Sequence, residues 1–208
     1  MANKIIDQFN NDDVKLEPIE NLYDGFFKIN LYQFKHALFA GGESQTIKRE
    51  ILERGDAVAV LPYDPKTDQL LLIEQIRIGA MRSKDSPWLL ECIAGMTDQS
   101  TDYEAVVKRE ALEEAGLELQ HLEYMLSYLS SPGGTTERLY LYLALADLSN
   151  LQSGVFGLET EGEDIKTHII SFNDAIARLN NGEIDNAATV ISLQWLALNR
   201  ERVLNQSK

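Results

Sequence analysis

The chain has 208 residues, 44% of them hydrophobic, which suffices for one large domain with its own core or a main domain carrying a small extra piece. Lys and Arg number 19 against 33 Asp and Glu, and the formal net charge of -14 argues against a protein that tracks nucleic-acid phosphates or an anionic membrane, leaving room for a local cationic pocket. Cys92 is the single cysteine, so there is no disulfide framework or metal-thiolate spacing. The N-terminus MANKIIDQFNNDDVKLEP lacks a targeting pattern, and no stretch reaches the roughly eighteen apolar residues of a membrane span; the expectation is a soluble cytoplasmic protein.

Strand-like segments come first in chain order: GFFKINLYQFKHALF, SQTIKREILERG, DAVAVLPYD and QLLLIEQIRIG, rich in β-branched and aromatic residues. Asp64 and Pro65 open the polar segment DPKTD, whose chemistry is that of a hairpin turn, so the strands on either side are expected to be antiparallel neighbours. YEAVVKREALEEAG places Val107, Ala111 and Ala115 four apart and ends on Gly116, as a helix with a glycine C-cap does; Thr101-Asp102-Tyr103-Glu104 matches a capping box with Thr101 as N-cap. HLEYMLSYLSS and ERLYLYLALAD read as strands joined by the glycine-rich SSPGGTT, and EDIKTHIIS reads as another. Two helices close the chain, NDAIARLNNG and AATVISLQWLALNRERVL, the latter with Val190, Leu193, Leu196 and Leu198 as an apolar face around Trp195. The order predicts an α+β protein with α/β/α layering around a mixed sheet, preceded by an antiparallel strand segment.

On the central helix, Glu110, Glu113 and Glu114 stand at i, i+3 and i+4, so their carboxylates project from one side. Like charges at this spacing cost an isolated helix about 0.2 to 0.5 kcal/mol per pair, which a bound divalent cation reverses many times over. Taken alone, the three glutamates read more readily as a solvated acidic face partnered by Arg109. His36, His121 and His168 have no metal-ligand spacing.

The wider spacing separates these readings. Gly95, Arg109, Glu110, Ala111, Glu113, Glu114, Gly116 and Leu117 fit, over 23 positions, the pattern G-x5-E-x7-R-E-U-x-E-E-x-G-U, with U aliphatic. The segment resembles the Nudix box. Thr101 replaces the pattern's first glutamate, leaving Asp102, Glu104 or Glu113 to hold Arg109, and Ala111 is a small occupant of the aliphatic slot. The resemblance covers residues 20 to 205 and includes GFF, KREILERG, IEQIRIGA, PWLLE, AGM, SSPGGTTER, EGEDI and IDNAATVISLQWL. With Pro132 fifteen residues past Leu117, it is similar to the bacterial ADP-ribose pyrophosphatase branch of that family.

This resemblance implies Mg²⁺-dependent hydrolysis of ADP-ribose to AMP and ribose 5-phosphate, with two or three Mg²⁺ ions, or Mn²⁺ in their place. They would be held by the Ala94 carbonyl, Glu110, Glu114 and Glu163, with Glu113 as a partial ligand. Glu163, with Glu161 as the alternative, is implied as the acid that activates water, alongside Glu110 and Glu114 in the catalytic set. Implied substrate contacts are Phe26, Arg49, Arg77, Met96 and Glu137, although alternation along a strand requires one of Phe26 and Phe27 to be core. The competing expectations are a Nudix hydrolase for another nucleoside diphosphate sugar, such as a GDP-hexose, and a non-catalytic ADP-ribose sensor; such sensors lack box glutamates that are present here. Family analogy makes residues 1–55 a dimerisation segment, residues 56–208 the hydrolase domain and the protein a homodimer.

Overall fold

A computed structural model describes residues 8–82, 85–98 and 100–206. The first seven residues of the N-terminal segment read above lie outside them, as does Gln99 of the box. The chain divides into two compact units, one formed by residues up to Arg54 together with Ser131–Glu137, the other by Gly55–Ser130 and Arg138 onward.

The first unit is an antiparallel sheet of β1 (Val14–Leu16), β2 (Glu20–Asp24), β3 (Lys28–His36) and β4 (Ile47–Glu53). β3 is its centre, paired with β4 over Lys28–Phe34 and, in turn, with β2 and β1. The loop at Ser131–Glu137 joins it through Leu52 N–H to the Gly134 carbonyl at 2.9 Å. Among the described residues of this unit only Glu137 is buried, whereas Leu16, Leu22, Tyr23, Phe26 and Phe39 are exposed. Neither Phe26 nor Phe27 is core. The alternation argument presumed a strand, and both lie in the bend between β2 and β3, with Phe27 half-buried under the Arg54 guanidinium.

The second unit comprises β5 (Ala57–Asp64), β6 (Gln69–Ile76), β7 (Trp88–Glu91), β8 (Ile93–Met96), α1 (Tyr103–Ala115), β9 (His121–Leu129), β10 (Arg138–Leu145), β11 (Val155–Phe156), β12 (Ile165–Ser171), α2 (Phe172–Asn180) and α3 (Ala187–Gln206). Its eight-stranded sheet runs β11-β12-β6-β5-β10-β9, with β5 and β10 the parallel pair. The expected hairpin is present, but β5 and β6 pair only at Tyr63–Leu70 and Asp64–Gln69. Beyond that they part, and the run WLLECIAGM fills the fork, β7 pairing with β6 and β8 with β5.

Alternate residues face opposite sides of a strand. Val58, Val60, Leu71, Ile73, Tyr142 and Ala144 pack with Val106, Val107, Ala111 and Ala115 of α1. Ala59, Leu61, Leu70, Leu72, Leu141 and Leu143 pack with Phe172 and Ala175 of α2 and Leu193, Leu196 and Val203 of α3. Helices on both faces confirm the α/β/α layering. Leu198, expected on the apolar face of α3, is 87% exposed. Two residues past Leu196 is about 200° around a helix, so it points away from the sheet. Arg200, one turn on from Leu196, reaches back to Asp68 in the β5–β6 turn, which also accepts from the buried Tyr63 hydroxyl. Cys92 is free and buried, and burial pushes its thiol up to about 12, partly offset by the Thr189 and Ser192 hydroxyls. No helix among the described residues is long and apolar enough to cross a membrane.

Thr101 is not the N-cap of α1. Asp102 is, its side chain accepting from Ala105 N–H at 3.1 Å, while Gly116 closes the helix in the left-handed region as expected. Asp102→Ala should therefore cost about 1 kcal/mol in chemical denaturation and Thr101→Ala should cost none; the reverse order would restore Thr101 as the cap.

Candidate active site

The second unit brings together four of the predicted acids. Glu114 is 3% exposed, on the face of α1 turned to β8, and its Oε2 accepts the Ala94 N–H at 3.1 Å. Glu110 stands one turn earlier, over Gly95. A Cβ at position 95 would lie 1.9 Å from Glu110 Oε1, so the box glycine is where the strand lets the carboxylate approach its backbone. Arg109 donates to Glu113 Oε2 and to Glu110 Oε1, each at 2.6 Å; of the three partners expected for it, Glu113 is the one it takes.

The fourth acid arrives from the loop between β11 and β12. Gly157 N–H donates to the Glu113 carbonyl at 3.2 Å, docking the loop on the last turn of α1, and Leu158 N–H holds Glu163 Oε2 at 3.0 Å. Gly157 has φ +105 and a Cβ there would meet the Glu163 side chain at 2.7 Å, so glycine serves both the turn and the close approach. Glu163 is thus oriented by its own loop, whereas Glu161 is exposed at the end of a short 3-10 turn.

Burial raises the Glu114 carboxyl to about 8; the charges of Glu110 and Glu163 push the same way, and the Ala94 N–H and Arg77 oppose them. Glu110 is raised to about 7, again mainly by burial, with Arg109 opposing and Glu113 and Glu163 adding. Arg77, at the end of β6, donates Nε and Nη2 to Glu91 Oε2, both at 2.9 Å. Glu91 is buried, and no motif in the sequence marks it as part of the site. It sits at the end of PWLLE, where an acid inside an apolar run signals a buried pair. Met96 is half-buried at the end of β8, opposite Ala57.

Phe26, Arg49 and Glu137 belong to the first unit. Phe26 is 86% exposed and meets the Phe27 ring edge-on at 4.8 Å. Arg49 is exposed on β4, its Nη1 donating to the Lys48 carbonyl at 2.8 Å. Glu137 is buried and paired with Arg54 at 3.0 Å.

The donor chemistry in the second unit fits a hard divalent cation. Its side-chain donors are carboxylate oxygens, and two of the carboxylates have proton affinities raised by burial first and by neighbouring like charge second, a cost that a multivalent cation offsets. Among the described residues no three Asp, Glu, His or Cys side chains stand at the separations of a formed cation site. Arg109 draws the Glu110 and Glu113 carboxylates to itself.

Residues 53–192 match the sequence pattern of the NUDIX domain. The chain is 46% identical over 198 residues to the ADP-ribose pyrophosphatase of Escherichia coli (strain K12), covering 95% of this chain and 94% of that one. The ADP-ribose pyrophosphatase of Haemophilus influenzae is 45% identical over 197 residues, covering 93% and 90%. A GDP-mannose pyrophosphatase of Pectobacterium atrosepticum is 34% identical over 174 residues, covering 83% and 88%. A crystal structure of an ADP compounds hydrolase superposes with a TM-score of 0.68 at 17% identity, over 93% of this chain and 96% of that one, and so shares the fold. The chain belongs to the Nudix family. Nudix hydrolases generally use divalent metal ions.

A carboxyl raised above its ordinary value of 4.5 favours the fold while protonated, so its contribution is present below about pH 4.5 and is lost as pH rises through about 7 to 8. In chelator, the thermal midpoint of the wild type should fall across this window. Glu114→Gln should flatten that fall and melt above the wild type at pH 8.5. A parallel decline in both proteins would remove Glu114 as its source.

Proposed function

We propose that this protein hydrolyses the diphosphate of ADP-ribose, yielding AMP and ribose 5-phosphate, with Mg²⁺ as cofactor. The observation that carries the reading is that Glu110, Glu114 and Glu163 lie near enough for their charges to act on one another, Glu110 and Glu114 having raised proton affinity from burial first. The names of the relatives reported above support ADP-ribose over a GDP-sugar, because the ADP-ribose pyrophosphatases stand at 46% and 45% identity and the GDP-mannose enzyme at 34%.

Glu110, Glu114, Glu163 and the Ala94 carbonyl would hold two or three ions, with Glu113 as a partial ligand. Divalent cations bound there would supply charge neutralisation of the diphosphate and stabilisation of the leaving phosphate. Glu163, fixed by the Leu158 N–H, accepts the proton of the attacking water. The Arg77 guanidinium binds a phosphate oxygen while Glu91 fixes its orientation, and Met96 lies along the substrate. Water adds to one phosphorus, the bridging P–O bond breaks, and the other phosphate departs with that oxygen. For Phe26, Arg49 and Glu137 a part in holding the adenosine half would follow from the family resemblance alone.

Incubation with Mg²⁺ and a panel including ADP-ribose and GDP-mannose, with products separated by chromatography, should give AMP and ribose 5-phosphate fastest. ADP with free ribose would overturn the reaction class. Glu114→Gln should lower kcat by orders of magnitude in a folded protein, since an amide is a poor ligand for a hard cation.

We also propose a cytoplasmic homodimer formed through the first unit. Its support is the exposure of Leu16, Leu22 and Tyr23 on the strands and of Phe26 and Phe39 in the loops beside them, in a unit without a buried apolar residue among those described. Sedimentation should report about twice the 23.4 kDa chain mass; an active species at the mass of one chain would refute it.

A further inference from the structure

At Cys92 the chain leaves the β6 ladder and joins that of β5, so one residue stands between two strands with different partners. The backbone groups flanking this hand-over are taken up by α3. Asn186 Nδ2 donates to the Leu90 carbonyl at 2.8 Å, and Cys92 N–H donates to Thr189 Oγ1 at 2.8 Å. The two side chains are linked as well, because Asn186 Oδ1 accepts the Thr189 N–H at 3.1 Å in the manner of a helix N-cap. Thr189 and Cys92 are both buried, so the Cys92 N–H has no water as an alternative partner. Each side of the break carries a group of the site. Glu91, next to Leu90, holds Arg77, and Ala94, two residues past Cys92, donates its N–H to Glu114.

We infer that Asn186 and Thr189 are positioning residues for the hydrolytic reaction, a two-point clamp that sets the strand break and through it the placement of Glu114 against Ala94 and of Arg77 on Glu91. The inference rests on the functional reading above. The clamp engages the Leu90 carbonyl, the Cys92 N–H and, through Thr189, the Cys92 thiol, from the face of the sheet opposite α1; none of these is a proposed substrate or metal contact, so its removal leaves those contacts chemically intact. What it changes is their registry, and a misplacement of the order of 1 Å costs about 100-fold in rate.

Thr189→Val keeps the shape and removes the hydroxyl acceptor; Thr189→Ser keeps the acceptor; Asn186→Ser retains a capping oxygen but cannot reach Leu90, and it serves where Thr189→Val does not fold. Well below the melting temperature, Thr189→Val should lower kcat per folded molecule by about 10- to 100-fold, with Thr189→Ser close to wild type. Amide hydrogen exchange over residues 90–96 should be about tenfold faster in Thr189→Val, with α1 unchanged. A fall in kcat of less than about tenfold, or Thr189→Ser as slow as Thr189→Val, would overturn the inference and leave the clamp a matter of stability alone. The exchange arm needs no substrate: a wild type inactive on nucleotide sugars would overturn the functional reading, while unchanged exchange in Thr189→Val would overturn the clamp whatever the substrate.

Discussion

The parting of β5 and β6 beyond Tyr63 and Leu70 is the constraint on which the rest of the second unit depends. Two strands that separate leave an unpaired edge on each, and backbone groups inside a sheet covered on both faces must find partners. The inserted run satisfies both edges by dividing into β7 and β8. That division puts Glu91 on the β6 side and Ala94 and Gly95 on the β5 side, while α1 lays Glu110 and Glu114 across β8. The acids therefore converge where the sheet's pairing pattern changes, and the tightest approach occurs where the strand carries no side chain.

Electrostatics then works against the fold and in favour of a ligand. Glu114 is buried with one backbone donor, Glu110 shares Arg109 with Glu113, and Glu163 is brought in by the docking of Gly157 on the end of α1. Arg109 and Arg77 act on this group, Arg109 already engaged with Glu110 and Glu113 and Arg77 with Glu91. The arrangement leaves a surplus of negative charge in a place poor in water, which is costly for an empty protein and suited to a cation.

The parts of this design that depend on residues close together in the sequence are legible there. The three box glutamates share a face because of helical period, and Gly95 and Gly116 mark a close approach and a helix end. The hairpin at Asp64 and Pro65 follows from turn chemistry. The division at Cys92 is not legible, since WLLECIAG reads as one apolar run and only the strands it meets, from elsewhere in the chain, decide where it breaks. Glu91 is hidden for the same reason. The N-cap was displaced by one residue because Thr101 and Asp102 are both competent caps and the local pattern cannot choose between them. Leu198 was placed on the buried face because the leucines of α3 lie densely enough to suggest a stripe wider than the one the sheet covers.

The distance along the chain between the break and its clamp also bears on how the protein is made. Cys92 finds its partner 97 residues later and Leu90 finds its own 96 residues later, in the helix that ends the described fold. During synthesis the fork can close and α1 can settle on it, but the amide and carbonyl at the break wait for residues 186–189 to leave the ribosome. Contacts of such long sequence separation form late, because loop closure must precede any gain from them. The site is then among the last parts of the molecule to acquire its final geometry, so a nascent or truncated chain would carry all four clustered acids without yet holding them in place.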